Sequence, residues 1–305
     1  VDFRDFVALM VERNASDLYF TVASPPMYRI EGVVQPLGHQ AFTAEELEAL
    51  ALSLMNERQR REFAEQLEMN LALSYPGLSR FRVNIFRQRG SVGMVVRKIN
   101  VEIPSLDGLG LPPILKDIIM TKRGLVLIVG ATGSGKSTTL AAMIDHRNSL
   151  LPGHIITVED PIEFAHRHKR SIINQREVGF DTHSFQEALK NAMRQAPDVI
   201  LIGEIRDSET MEAAITFADT GHLCLATLHS TNANQAFERI INFFPESRHA
   251  QIFLQLALNL RAIVSQRLVM GTDGRRVAAL EILMDTPRIK ELIKKGEVDT
   301  LKEAM

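Results

Sequence analysis

The chain has no tryptophan and a single cysteine, Cys224. One thiol cannot close a disulfide within the chain, nor can it supply a cysteine-based zinc cluster. This scarcity of cysteine fits a reducing compartment. Long apolar runs are also missing. The stretch from Leu125 to Ala131 falls well short of the roughly 18 residues a membrane-spanning helix needs. Neither sign of charge dominates: 35 Lys and Arg stand against 37 Asp and Glu, a net charge of −2. That balance argues against a non-specific coat for nucleic acid or membrane. No secretory leader opens the sequence, because Asp2, Arg4 and Asp5 interrupt any apolar core before Met10. What remains is ordinary globular composition, 45% hydrophobic and 24% charged, which excludes disorder and collagen-like structure. A length of 305 residues predicts two domains. The composition therefore describes a soluble, cytoplasmic, two-domain protein.

Residues 1–100 read as a small α+β domain. Phe3, Phe6, Val7 and Met10 form the stripe of an amphipathic helix. Leu18 to Val22 and Tyr28 to Leu37 are strand-like, with turns at Pro25-Pro26 and Glu31-Gly32. Thr43 and Glu46 make a capping box, which predicts one helix running to about Glu68. Phe81 to Phe86 alternates as a strand, and Val92 to Ile99 can pair with it. Residues 101–113, holding Pro104, Gly108, Gly110, Pro112 and Pro113, read as a linker. From residue 114 to 305 short apolar runs alternate with helical patterns. The runs are Leu125–Val129, Ile155–Val158, Val199–Ile202 and Leu223–Leu228, and Gly221 is a helix stop. This texture predicts an α/β domain around a parallel sheet.

Gly130, Ala131, Thr132, Gly133, Ser134, Gly135, Lys136 and Ser137 match the phosphate-binding pattern G-x-x-x-x-G-K-[ST], with Thr138 next in the following helix. The glycines let backbone N–H groups converge on phosphate, Lys136 adds a point charge, and Ser137 offers a hydroxyl to Mg²⁺. An apolar strand precedes the loop and an amphipathic helix follows it. The bland alternative is a chance glycine-rich turn.

The run Asp198 to Glu204 has the form of a second nucleotide motif, an apolar strand ending in an acid. Gly203 stands where the usual acid would be, and Glu204 one step on is the candidate to polarise the attacking water and to reach Mg²⁺; the alternative is a helix-capping acid. Glu159, Asp160 and Glu163 follow another buried strand. Acids beside a triphosphate argue for metal or water handling, against a reading as solvated loop acids. His222 and His229 bracket Leu223–Leu228, either as structural histidines or as sensors of the γ-phosphate. They have no partners at zinc-ligand spacing. Arg80, Arg82, Arg87, Arg89 and Arg97 crowd the first domain. Three readings fit them: a solvated face, a nucleic-acid groove, or arginines acting on a neighbouring subunit's phosphate.

Taken in order, these motifs resemble the secretion ATPase superfamily, specifically the PilT/PilU branch of type IV pilus retraction motors. The resemblance extends over Ala15-Ser-Asp-Leu18, Pro25-Pro-Met27, the Walker A loop, an Asp box from Ile156 to Glu163, an atypical Walker B from Gly203 to Asp207, and a His box from Thr220 to His229. It implies a PAS-like N-terminal domain, a RecA-like P-loop ATPase domain, ATP and Mg²⁺ as cofactors, and a homohexameric ring that hydrolyses ATP between subunits. It implies essential roles for Glu163 and Glu204 and trans-acting Arg82 and Arg97, while the motifs themselves point to Lys136 and His229 as catalytic and to nucleotide contacts from Glu159 and His222. It also implies a PilT-like partner ring and an inner-membrane platform protein of the PilC kind, with the chain peripheral to that membrane and bound to no nucleic acid. The family's C-terminal tail is expected to lie outside this sequence.

Two departures refine the expectation. Extension motors carry a four-cysteine zinc element, which one cysteine cannot build. The Ala-Ile-Arg-Asn-Leu retraction signature is replaced by Pro287-Arg-Ile-Lys-Glu-Leu292. That replacement looks most like the accessory, PilU-type branch. An assembly ATPase for pilus extension or type II secretion, a RecA-like nucleic-acid motor and a non-hydrolysing nucleotide-gated ring are the rival readings.

Overall fold

Helix α1 (Phe3–Glu12) opens the fold. The Asp2 side chain accepts a hydrogen bond from the Arg4 amide, and the Phe3, Phe6, Val7 and Met10 stripe is buried. Strands β1 (Asp17–Phe20), β2 (Met27–Ile30) and β3 (Val33–Pro36) follow. The Tyr28–Leu37 stretch is a hairpin, folded where Glu31 and Gly32 take positive φ. Helix α2 (Ala44–Ser53) starts at the Thr43–Glu46 capping box. The single helix expected to reach Glu68 is in fact two, because α3 (Glu57–Gln66) restarts at a second capping box formed by Asn56 and Gln59. That box satisfies the free amides of a new N-terminus, so breaking the helix costs little. Leu67, at φ 62°, terminates α3.

Strands β4 (Glu68–Tyr75), β5 (Ser79–Gln88) and β6 (Ser91–Ile99) complete a six-stranded sheet of order β3-β2-β1-β6-β5-β4, antiparallel at every strand pair. Phe81, Val83, Ile85, Val92, Met94 and Val96 are buried on one face, in a core shared with α1, α2 and Phe63 of α3.

The structure is a computed structural model that describes residues 2–38, 40–272, 274 and 276–305. The chain divides into two compact units, Val1–Val101 and Glu102–Met305. No helix or strand forms among residues 101–113, as their prolines and glycines dictate. Leu106 and Leu111 in this stretch are nevertheless buried in the second unit's core with Leu115, Ile118 and Ile119. The stretch is thus one wall of the second unit rather than a free tether.

The second unit runs α4 (Ile114–Met120), β7 (Gly124–Val129), α5 (Lys136–Leu150), β8 (Gly153–Glu159), β9 (Ser171–Glu177), α6 (Phe185–Ala192), β10 (Val199–Ile202), α7 (Ser208–Asp219), β11 (Leu223–Leu228), α8 (Ala233–Asn242), α9 (His249–Asn259), β12 (Leu260–Met270), β13 (Arg276–Met284), α10 (Pro287–Lys295) and α11 (Leu301–Ala304). The sheet order is β13-β12-β7-β11-β10-β8-β9, parallel except for β13 at one edge. Every residue of β7, β10 and β11 is buried. Leu125, Leu127 and Val129 join the core on one face, and Val126 and Ile128 the core on the other.

Each such buried side chain contributes about 1.5–3 kcal/mol relative to exposure. Both faces therefore hold the strands in register, and with them the loops at their carboxyl ends. Among the described residues no helix is long and apolar enough to cross a membrane.

Candidate nucleotide site

The central strands all run the same way, so the ends of β12, β7, β11, β10 and β8 lie along one edge of the sheet. The registers fix what stands there. Val129 pairs with Leu228 on one side and Ser265 on the other, which sets Gly130 between His229 and Gln266. Ile202 pairs with Val158 and Ala226, which sets Gly203 between Glu159 and Thr227. Ligands of open α/β sheets bind at this edge.

The loop from Gly130 to Ser137 leads into α5. Gly130, Gly133 and Gly135 have φ of 158°, 77° and 87°. The last two lie in the left-handed region, which glycine enters without a steric penalty. A Cβ at Gly130 would collide with the Gln266 carbonyl oxygen, so the loop's entry also requires glycine for space. Among the described residues no side chain caps α5. Its N-terminal amides and the positive end of its dipole are thus available to an anion. Ala131, Thr132, Gly133 and Ser137 are exposed and Thr138 is half-buried, while Ser134 and Lys136 are buried. The Lys136 ammonium donates to the carbonyls of Gly130 and Ala131 at 2.8 and 2.9 Å. Burial pushes its pKa down, and the charge of Glu204 works against that shift.

Glu204, two residues past β10, accepts from Arg206 at 2.6 Å and lies 2.9 Å from His229 Nε2. His229 thus stands beside the loop and holds the carboxylate. The atypical glycine before Glu204 has a steric cause: a Cβ at Gly203 would come within 3.0 Å of the Glu159 Cα. Thr227 donates to the Gly203 carbonyl from the other side.

Glu159 accepts from the Thr157 hydroxyl at 2.6 Å and the Gln175 amide at 3.3 Å. Burial, opposed by these bonds and reinforced by the charges of Glu163 and Glu177, pushes its carboxyl up to about 7. Ser137, Glu159, Gly203 and Thr227 line one small cavity. His166 lines it too, and was not singled out in the sequence. Its Nδ1 is buried without a hydrogen-bond partner among the described residues, and burial pushes its pKa down to about 4.

The residues expected at the nucleotide are only partly gathered here. His222 precedes β11 and His229 follows it, so at about 3.3 Å per residue some 23 Å of strand separates them. Within one chain His222 stands at the opposite edge of the sheet. Its Nδ1 is 3.1 Å from both the Phe217 carbonyl and the Thr220 hydroxyl. Arg82 and Arg97 belong to the first unit, where they face each other across β5 and β6. Arg97 donates to Asp17 at 2.9 Å, and Arg29 lies 3.4 Å from the same carboxylate. Asp17 thus offsets the repulsion that paired like charges impose on a sheet.

A feature the motif reading missed is a cavity of about 310 Å³ on the other side of the loop. It is lined by Leu109, Leu111, Gly135, Thr138, Gln266, Leu268, Arg276 and Ala278. Leu109 and Leu111 form part of its apolar wall, and Leu268 and Ala278, paired across β12 and β13, continue it.

Residues 4–296 match the family described as type II/IV secretion system protein. The chain belongs to this family. It is 55% identical to the type IV pilus ATPase PilU of Pseudomonas aeruginosa over the whole chain and 80% of that protein. It is 42% identical to the retraction ATPase PilT of the same organism, over the whole chain and 89% of that protein. The crystal structure of the pilus retraction motor PilT with bound ADP superposes with a TM-score of 0.95, at 41% identity over the whole chain and 89% of that structure. The mixed α/β fold with two sheets is therefore that of a secretion-family ATPase.

The raised pKa of Glu159 makes a testable prediction. A carboxyl raised from 4.5 to about 7 in the folded state holds its proton where the unfolded chain has lost it. Its contribution is present below the unfolded value and is lost as pH rises toward 7, on the order of 3 kcal/mol. Glu159→Gln should therefore melt several degrees above the wild type at pH 8, with the gap closing by pH 5. Thermal melts of both proteins across this range check the slope; parallel curves would show an ordinary, solvated carboxylate.

Proposed function

We propose that this chain is an ATP-hydrolysing motor for type IV pilus retraction, of the accessory PilU type, working as a homohexamer alongside a PilT-like ring. The observation that carries this reading is the convergence of the Gly130–Ser137 loop and the Glu204–His229 pair on one sheet edge, in a chain 55% identical to a PilU. In this reading the amides of the loop and α5 bind the phosphates, and Lys136 transfers its hydrogen bonds from the Gly130 and Ala131 carbonyls to phosphate oxygens. The cavity beyond Gly135 takes the nucleoside, with its apolar walls on the base.

A magnesium ion fits the donors present. Ser137 is an exposed hydroxyl at the first turn of α5, and Glu204 is a carboxylate able to act through water. Ser137 and Glu204 would hold such an ion, which would supply charge neutralisation for phosphoryl transfer. Glu204 orients the attacking water. Its carboxylate is aimed by His229 and Arg206, and Glu163 is the second acid near this edge. The N-terminal unit is read as the PAS-like domain, presenting Arg82 and Arg97 to the nucleotide of a neighbouring subunit. The inner-membrane platform protein of the PilC kind is the proposed track, which makes the motor peripheral to that membrane on its cytoplasmic side.

The accessory assignment rests on α10. Thr286 caps this helix and Pro287 is its first residue, where a missing amide is tolerated. Glu291 on its exposed face bonds Arg288 at 3.2 Å and Lys295 at 2.7 Å. A carboxylate held between cations offers a partner different chemistry from the neutral amide of the retraction signature.

Two experiments test these roles. Lys136→Ala should lose ATP affinity, whereas Glu204→Gln should keep it and lose turnover by about 100-fold or more. Normal turnover by a folded Glu204→Gln protein would remove Glu204 from the chemistry. In cells, deleting this protein should weaken retraction under load, and deleting the PilT-like protein should abolish retraction even with this one present. Retraction by this chain alone at native levels would make it an independent motor.

A further inference from the structure

Gln266 belongs to none of the nucleotide motifs. It lies on β12 and is only 5% exposed, a neutral polar side chain inside a sheet edge. Both ends of its amide are engaged. Its oxygen accepts from the Thr139 hydroxyl at 2.8 Å, and its nitrogen donates to the Ser134 carbonyl at 2.8 Å. The first partner lies on the opening turn of α5 and the second at the centre of the phosphate loop. Its own carbonyl packs against Gly130, and its amide nitrogen would be 2.8 Å from a Cβ at Gly135. One residue of β12 therefore touches the loop at its entry, its middle, its exit and the turn beyond.

From this geometry we infer that Gln266 is a positioning residue that holds the phosphate loop in its phosphate-receiving shape. The argument rests on the proposed nucleotide binding and extends it. A loop that binds phosphate through its backbone needs its amides aimed before the ligand arrives, or affinity is spent on ordering them. The Ser134 carbonyl is a point where this loop turns, and the Gln266 amide fixes its direction. Thr139 completes the clamp, so the α5 N-terminus and the loop are set by the same side chain. Removing the clamp leaves a buried carbonyl and a buried hydroxyl to find other partners. Because the clamp acts on the loop and not on a base, it serves any polyphosphate equally. Gln266 also borders the adjoining cavity, but this role differs from that of the cavity's leucines, which serve only a ligand carrying a nucleoside.

The test uses dissociation constants for ATP and for inorganic tripolyphosphate at fixed Mg²⁺, with the melting temperature of the ligand-free protein measured alongside. Gln266→Met keeps the side chain's length and removes both bonds. It should weaken ATP and tripolyphosphate by the same factor, about tenfold, and lower the melting temperature by several degrees without preventing folding. Thr139→Val should weaken both ligands in the same proportion to each other, and Thr139→Ser, which keeps the hydroxyl, should bind as the wild type does. If Gln266→Met does not fold, the Thr139 pair decides the matter by the same criterion. Wild-type affinity for both ligands in a folded Gln266→Met protein overturns the inference. So does a loss confined to ATP, which would assign Gln266 to the nucleoside cavity. A folded wild type that binds neither ligand fails the nucleotide reading itself, a result distinct from either.

Discussion

A loop that holds phosphate with its own amides must curl tightly and leave no side chain in the way, and much of the second unit answers to that requirement. Gly133 and Gly135 supply left-handed backbone. Gly130 supplies room where the Gln266 carbonyl presses against the chain. The sheet order places β7 between β11 and β12, so the loop is flanked by His229 on one side and Gln266 on the other. The same crowding recurs two strands away, where Gly203 lies against the Glu159 backbone. A side chain at that strand end would have to push the Glu159 backbone aside, and the acid stands one residue on, at Glu204.

Charge is arranged around this edge with equal economy. Lys136 is buried and shares hydrogen bonds with two carbonyls, an arrangement that a phosphate can take over because carbonyls hold an ammonium less strongly than an anion does. Glu204 is tied to His229 and Arg206. Glu159, half-buried near other acids and bonded to Thr157 and Gln175, is pushed up to about 7 by desolvation. The two carboxylates thus follow neighbouring strands with different partners, neutral side chains at Glu159 and His229 with Arg206 at Glu204.

The strand–loop–helix setting of Gly130–Ser137 was legible because its signal is contiguous: glycines, lysine and serine at fixed spacing, after a strand buried on both faces. β7, β10 and β11 were legible for the same reason, since burial on both faces leaves an unbroken apolar run. The break between α2 and α3 is hard to see because Asn56 and Gln59 cap a new helix only a few residues after the first one ends. The two histidines were read together because they bracket one motif, yet strand geometry sends them to opposite edges. Gln266 was invisible for a different reason. Its partners lie 127 and 132 residues away in sequence, and nothing local marks a glutamine in a strand as a clamp. Leu106 and Leu111 hid among prolines and glycines, which correctly forecast irregular backbone but say nothing of burial.

The most direct test of the account is a structure of the protein with Mg²⁺ and a non-hydrolysable ATP analogue. The account predicts phosphates against the amides of the Gly130–Ser137 loop, Lys136 Nζ moved from the Gly130 and Ala131 carbonyls onto phosphate oxygens, and the base in the cavity lined by Leu109, Leu111 and Leu268. An analogue bound elsewhere, or bound at the loop with Lys136 still on its two carbonyls, would contradict it.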